Sequence, residues 1–346
     1  MRVMMTGATG FVGYHTALAL LAQGHELSLL VRSQSKMEQL FGPGRIRHFT
    51  RGDITDAGPV RKAIKGCDAV VHSAAMVSTR AADAAAVYRT NVDGTSIVME
   101  SALAAGIERI IHVSSVTALY DPAATVLDEH SPPGTGASGY GRSKVACERY
   151  VRQLQASGSP ISITYPASVI GPDDPGLTEA HAGLKNFLQQ FVPLMPSGNQ
   201  YVDVRDIAEV HLRLLDRPGN RGRYILGGHY VPWRELSGLL RKITGRKPLE
   251  LPLHAGLMRL AGRLGDRVGG YIKLELPVTE EGITYATHWV LMDSSAMERD
   301  LDFGFRPVEE SFRDAIGWLH RAGHISARQA GRAAAAAAVS GKNAGK

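Results

Sequence analysis

Short apolar runs alternate, over the first half of the chain, with longer stretches in which apolar residues recur at helical spacing. The runs at 1–5, 27–31, 69–73, 109–113 and 161–165 predict strands, with a further one near 46–50. Helices are expected at 13–23, 83–105 and 141–156. That alternation is the signature of successive βα units on a parallel sheet. Beyond about Pro166 the pattern breaks into shorter pieces rich in Pro and Gly, with helices expected at 178–191, 206–216 and 233–244. The chain therefore reads as α/β: a doubly wound parallel sheet over 1–165 and a smaller mixed substrate lobe over 166–325, whose chain crosses back to the first domain. Residues 326–346 are read as a disordered basic tail rich in Ala and Gly, and no internal repeat is visible.

Composition narrows the function. Apolar residues make up 44% of the 346 positions and charged residues 21%, the balance of a soluble globular protein. The net charge of +6 suggests a polyanion binder until it is located. Arg321, Arg328, Arg332, Lys342 and Lys346 stand in the last stretch with no acid among them, so the body is nearly neutral and nucleic acid is not an expected partner. The opening Met1-Arg2-Val3-Met4-Met5 runs straight into a Gly-rich turn, which leaves no room for a leader and points to the cytoplasm. Cys67 and Cys147 suit a reducing compartment, and metal-ligand spacing is absent.

The chemistry begins in Thr6-Gly7-Ala8-Thr9-Gly10-Phe11-Val12-Gly13, where Gly7, Gly10 and Gly13 follow a strand and open a helix. Small residues there let backbone approach a pyrophosphate, whose charge faces the helix N-terminus. A tight turn that holds nothing is the bland alternative. Arg32 stands 19 residues after Gly13, where NAD-binding folds usually carry an acid, and it is followed by Ser33 and Lys36. A guanidinium pairs with a 2′-phosphate that an acid would repel, so NADP is expected, with NAD the alternative. Asp53 suits the adenine amino group, and Asp56 suits a helix cap.

Tyr140 and Lys144, at i and i+4, share one helical face. A neighbouring ammonium favours the phenolate and brings a tyrosine within reach of proton transfer. Ser114 and Ser115 close the strand at 109–113, at the sheet edge where α/β sites form, and offer a hydroxyl to a carbonyl. Tyr and Lys at this spacing also occur by chance on amphipathic helices, so the serines matter.

These motifs resemble the extended short-chain dehydrogenase/reductases of the epimerase/dehydratase type. The resemblance also takes in His72-Ser73-Ala74-Ala75, Asn91-Val92-Asp93-Gly94-Thr95, Pro166-Ala167-Ser168-Val169-Ile170-Gly171-Pro172, Tyr201 to Ala208 and Leu301 to Pro307. It covers about residues 1–320 and implies Tyr140 as acid/base, Lys144 as its modulator and ribose ligand, and Ser115 on the substrate carbonyl, with Thr117 an auxiliary donor. Cofactor contacts are implied for Thr9, Phe11, Val12, Ile54, Ala74, Ala75, Asn91, Pro166, Ser168 and Val169. A homodimer is a further family expectation.

Departures from the family pattern help to place the chain. Ser115-Val116-Thr117 lacks the acids that dehydratases use to expel water. Ser168 stands where epimerases commonly have asparagine, and Tyr165 where many have arginine. The chain looks more like the dihydroflavonol-reductase and 3β-hydroxysteroid-dehydrogenase branch, which implies an NADP-linked oxidoreductase for a mostly apolar ketone or alcohol. The rivals are an NAD-dependent nucleotide-sugar epimerase and a non-catalytic NADP sensor. Arg259, Arg263 and Arg267 line one face of an expected helix at 254–268. That helix is read either as a cover for the substrate pocket or as a peripheral membrane contact.

Overall fold

The computed structural model describes residues 1–78, 81–136, 138–253 and 290–334. Strands β1 (Arg2–Thr6), β2 (Glu26–Val31) and β3 (His48–Arg51) alternate with helices α1 (Phe11–Ala22), α2 (Gln34–Phe41) and α3 (Ala57–Ile64). The pattern continues through β4 (Ala69–His72), α4 (Ala84–Ala104), β5 (Ile110–Val113), the short β6 (Val126–Leu127), α5 (Gly139–Ala156) and β7 (Ile161–Pro166). Next come β8 (Ser168–Ile170), α6 (Glu179–Gln189), β9 (Val192–Leu194), β10 (Gly198–Asp203), α7 (Val204–Leu215), β11 (Arg223–Leu226) and β12 (His229–Pro232). The described chain closes with α8 (Trp233–Thr244), β13 (Glu250–Pro252), β14 (Leu291–Met292) and the helices α9 (Ser295–Leu301), α10 (Val308–Arg321) and α11 (Ala327–Ala330).

Seven parallel strands form the main sheet in the order β11-β7-β5-β4-β1-β2-β3. Strand order reverses between β1 and β4, which opens a crevice at their carboxyl ends. Alternation explains the two-sided core: in β1, Val3 and Met5 pack with α1 and α7 residues such as Leu20 and Val210, and Met4 packs on the other face with Val98 and Val151 of α4 and α5. Both faces are dry, as a parallel sheet requires.

The chain returns to this sheet after leaving it. Strand β11 pairs with β7, from Arg223 opposite Ile163 to Leu226 opposite Pro166, and α7 packs on α1. This seventh strand carries no strong signal, because its run of four residues lies between Pro- and Gly-rich turns. The smaller lobe is built on the three-stranded sheet β12-β10-β8 with α6, α8 and α10 around it, sharing a core of Leu184, Trp233, Leu240, Phe312 and Ile316.

One expectation is corrected at the tail. Residues 326–334 are folded: Ser326 and Gln329 form a reciprocal capping box at α11, and Ala330 and Ala333 are buried in the lobe's core. Residues beyond 334 and the expected helix at 254–268 lie outside the described residues. No helix among the described residues is long and apolar enough to cross a membrane.

Candidate active site

Strand β1 ends at Thr6 and the chain turns through Gly7 into α1. Gly7 has φ +74°, and a Cβ there would stand 2.6 Å from the Ala74 backbone nitrogen. A Cβ on Gly13 would stand 2.2 Å from the Gly7 carbonyl oxygen, so turn and helix meet at a distance only glycine permits. Gly10 opens α1 without a side-chain cap, and no acid occupies the first turn. The free N–H groups and positive dipole end fit a dinucleotide's pyrophosphate. Gly13→Ala is expected to weaken nucleotide binding by at least about tenfold, as the added methyl forces the turn open. Calorimetric titration with NADPH and NADH checks this, and unchanged affinity for both would remove the cradle.

A cavity of about 790 Å³ runs from this turn past the carboxyl ends of the central strands. Gly7, Gly10, Phe11, Val12, Gly13, Ala75, Ser115, Thr117, Tyr140, Lys144, Pro166, Ser168 and Val169 all line it. Six residues expected at the cofactor do not: Thr9, Arg32, Asp53, Ile54, Ala74 and Asn91. Asn91 is 2% exposed; its amide accepts from the Met76 N–H at 2.7 Å and donates to the Met76 carbonyl and to Ser143 Oγ. It shapes the wall from behind, tying the segment after Ala75 to α5. Ile54 is buried against Gly94, and the Ala74 N–H donates to Thr6 Oγ1 at 3.2 Å. Burial pushes the Asp53 carboxyl up, but two hydrogen bonds from Thr55 and the nearby Arg32 and Arg89 outweigh it and hold it below its ordinary value. Asp56 caps α3 by accepting from the Gly58 N–H at 2.9 Å.

Arg32 lines a second cavity, of about 410 Å³, with Ser33, Gln34, Ser35, Glu38 and Arg51. Ser33 caps α2, and Gln34 donates to Glu38 at 2.7 Å, which occupies the one acid there. Arg51 escaped the sequence reading because it lies 19 residues from Arg32; the parallel register of β2 and β3 brings Val31 opposite Arg51.

Ser138 starts α5 by accepting from the Gly141 N–H at 2.9 Å, which puts Tyr140 in the first turn and Lys144 one turn on. Lys144 is 5% exposed, its Nζ lies 5.9 Å from the Tyr140 ring centroid, and it donates to the Val113 carbonyl at 3.4 Å. Burial lowers its pKa, while Cys147 and Glu148 oppose the shift. Burial also pushes the Cys147 thiol up, so Glu148 is the effective counter-charge.

The two serines at the end of β5 have different duties. Ser114 is buried and donates to Glu148 Oε2 at 3.1 Å, within a network in which Tyr165 and Arg152 donate to Glu148 Oε1. Ser115 is half-buried, and its Oγ accepts from the Thr117 N–H at 3.2 Å. The hydroxyl available to a ligand is therefore that of Ser115. The Glu148 network was not legible, since its members come from β5, α5 and β7.

On the substrate side, Leu177, Phe187, Tyr201, Trp233 and Met292 make the wall apolar, with the Phe187 and Trp233 rings edge to face at 5.6 Å. Among the described lining residues, Lys144 is the one cation and Glu179 the one acid.

This fold has known counterparts. The family model described as the NAD dependent epimerase/dehydratase family matches residues 3–227. This chain belongs to that family. It is thus an NAD(P)-dependent enzyme of the extended short-chain dehydrogenase/reductase type, an oxidoreductase by its reductase relatives, in a family that acts on small molecules. A relative from Methylococcus capsulatus, sterol demethylase protein B, is 30% identical over 344 residues, covering 94% of this chain and 100% of that protein. A 4-hydroxy-2-methyl-3-oxo-4-farnesyl-3,4-dihydroquinoline-1-oxide ketoreductase from Stigmatella aurantiaca is 26% identical, covering 91% of this chain and 96% of its own. Among solved structures, that of gox2253 matches with a TM-score of 0.77 at 28% identity, covering 94% of this chain and 99% of that one. A UDP-glucose-4-epimerase from Stenotrophomonas maltophila, with bound NAD and formylated UDP-arabinopyranose, reaches 0.75 at 18% identity, over 94% of this chain and all of that one, and there the likeness is one of fold. The chain is thus similar to a protein named for ketone reduction and, in fold, to one named for sugar interconversion.

Proposed function

We propose that this chain is an NADP(H)-dependent oxidoreductase that interconverts a carbonyl and an alcohol on a mostly apolar small molecule. The observation that carries the reading is the pairing of Tyr140, Lys144 and Ser115 with an apolar wall in one cavity. A bound nicotinamide supplies or takes the hydride. Tyr140 gives the phenolic proton to the carbonyl oxygen in reduction and takes it back in oxidation, while Lys144 steadies the phenolate and binds ribose. Ser115, on the strand end beside them, donates to the same carbonyl oxygen. A sugar diphosphate would need cations along the substrate side, and the described wall offers Lys144 alone. Relatives named for a sterol and for a farnesylated quinoline ketone support an apolar substrate.

The direct test follows NADPH and NADH oxidation against sterol, flavonoid and aliphatic ketones, with UDP-sugars followed in parallel by chromatography. Ketone-dependent loss of NADPH is the expected result. Sugar interconversion without net cofactor consumption would overturn the reading in favour of an epimerase.

The NADP preference rests on the second cavity, where Arg32 and Arg51 flank Ser33 and Ser35. Two guanidiniums and the α2 N-terminus suit a 2′-phosphate. Arg32→Ala and Arg51→Ala are each expected to raise KM for NADPH by about 10- to 100-fold and to leave NADH nearly unchanged, the size of one lost charged hydrogen bond. Equal losses for both cofactors would remove the phosphate role.

A further inference from the structure

Among the described residues, both ring nitrogens of His112 are buried without a hydrogen-bond partner. The residue is 2% exposed and lies on β5, immediately before Val113, whose carbonyl receives Lys144. Native proteins rarely leave such a group unpaired, and an internal water is the usual partner. The surroundings define what that partner touches. From β4, His72 stacks on the His112 ring with centroids 5.5 Å apart, and its own nitrogens engage Thr6 Oγ1 at 2.7 Å and Thr95 Oγ1 at 3.1 Å. From α5 the Lys144 charge acts on the ring, and Cys147 and Glu148 are buried on the same helix. Cys147 donates to the Asn91 carbonyl, and Glu148 is engaged by Ser114, Tyr165 and Arg152. Lys144 has three donor hydrogens, of which Val113 takes one. Burial, then His72 and Lys144, hold His112 well below its ordinary pKa, so the ring is neutral and keeps one acceptor nitrogen.

We propose that His112 is a positioning residue for the Tyr140–Lys144 pair, its acceptor nitrogen bridged by one internal water to Lys144 Nζ so that the ammonium stays charged and aimed at Tyr140. This rests on reading Tyr140 and Lys144 as the proton-transfer pair. The ammonium donates to the water and the water donates to the imidazole, which satisfies two buried groups at once. Without the bridge the charged form of Lys144 is less favoured, and a less charged neighbour favours the neutral phenol of Tyr140.

The test is the ionisation of Tyr140 in the full chain, read as phenolate ultraviolet absorbance against a Tyr140→Phe background and, separately, as the pH profile of kcat/KM. His112→Phe is expected to move that ionisation upward by about one pH unit, and His112→Asn, which restores a hydrogen-bonding side chain, to return part of the shift. A folded His112→Phe protein with an unmoved Tyr140 titration would overturn the proposal. Should His112→Phe fail to fold, the wild-type protein carries the test by NMR: water cross-relaxation at the His112 ring is expected, and a ring with no water contact overturns the bridge. The spectroscopic titration needs no turnover. An unmoved titration beside an inactive Tyr140→Phe therefore ends only the His112 proposal, whereas an active Tyr140→Phe ends the catalytic reading itself.

Discussion

Tyr140→Phe should lower kcat by about 10²- to 10⁴-fold, the span that positioned proton transfer supplies, while changing NADPH affinity by less than about threefold. The substitution removes one oxygen and keeps the ring, so the helix start capped by Ser138 and the cavity wall are both retained. What is lost is the proton that meets the developing alkoxide. The remaining machinery explains why the loss is large yet finite. On the proposed mechanism Ser115 would still donate to the carbonyl oxygen and Lys144 would still hold ribose, so water would replace the phenol as a poor acid. Steady-state kinetics with a responsive ketone, together with fluorescence titration of NADPH, separate the two effects. A variant that keeps more than about a tenth of wild-type turnover would sink the assignment of Tyr140.

The residues that make this prediction possible were legible in the chain because each sits in a local pattern. A strand, a Gly-rich turn and a helix lie within residues 1–22, and the Tyr/Lys pair lies within one helical turn. What was not legible depends on register or on contacts between distant elements. Arg51 reaches Arg32 only through β2–β3 pairing, and the Glu148 network draws on β5, α5 and β7. The tail misled for another reason. Its alanines look too poor in apolar surface to fold, yet Ala330 and Ala333 fit because their partners leave little space, and a Cβ on Gly331 would stand 1.9 Å from the Thr244 carbonyl. Small residues here reflect tight packing. The Ser326/Gln329 capping signature was present in the sequence and would have revealed the helix start. Asn91, expected at the cofactor by resemblance, is buried and fixes the wall behind the cavity through Met76 and Ser143, contacts that depend on elements far apart in sequence.

The protein should lose stability steeply as pH falls from 6.5 towards 4.5. His72 and His211 are 1% and 0% exposed, and each has its pKa pushed down to about 3, His72 by burial and then the Lys144 charge, His211 by burial alone. Unfolded, a histidine titrates near 6.5, so below that pH the unfolded chain binds protons that the folded chain refuses. Stability contributed by the neutral rings is thus fully present above 6.5 and is lost progressively down to about 3. Each group costs about 1.4 kcal/mol per pH unit in that window, so the two together remove about 4 kcal/mol by pH 5, a large share of a typical 5–15 kcal/mol. Asp174 and Asp203 have lowered pKa values, burial being outweighed by their hydrogen bonds and by arginine charge at Asp203. Their stabilisation is lost only as pH falls below the ordinary carboxylate range, so they do not account for a slope that begins at 6.5. Urea unfolding at pH 7.5, 6.5, 5.5 and 4.5 measures the slope. His211 offers the sharper control, because its ring does no more than join Thr16 of α1 to Thr164 of β7, at 2.9 and 3.2 Å. His211→Gln is expected to be less stable at neutral pH but flatter towards acid, by about 1.4 kcal/mol per pH unit. Wild-type stability that stays level between pH 6.5 and 5 would mean that these imidazoles are already charged in the folded protein, or reach water by a route the packing does not suggest.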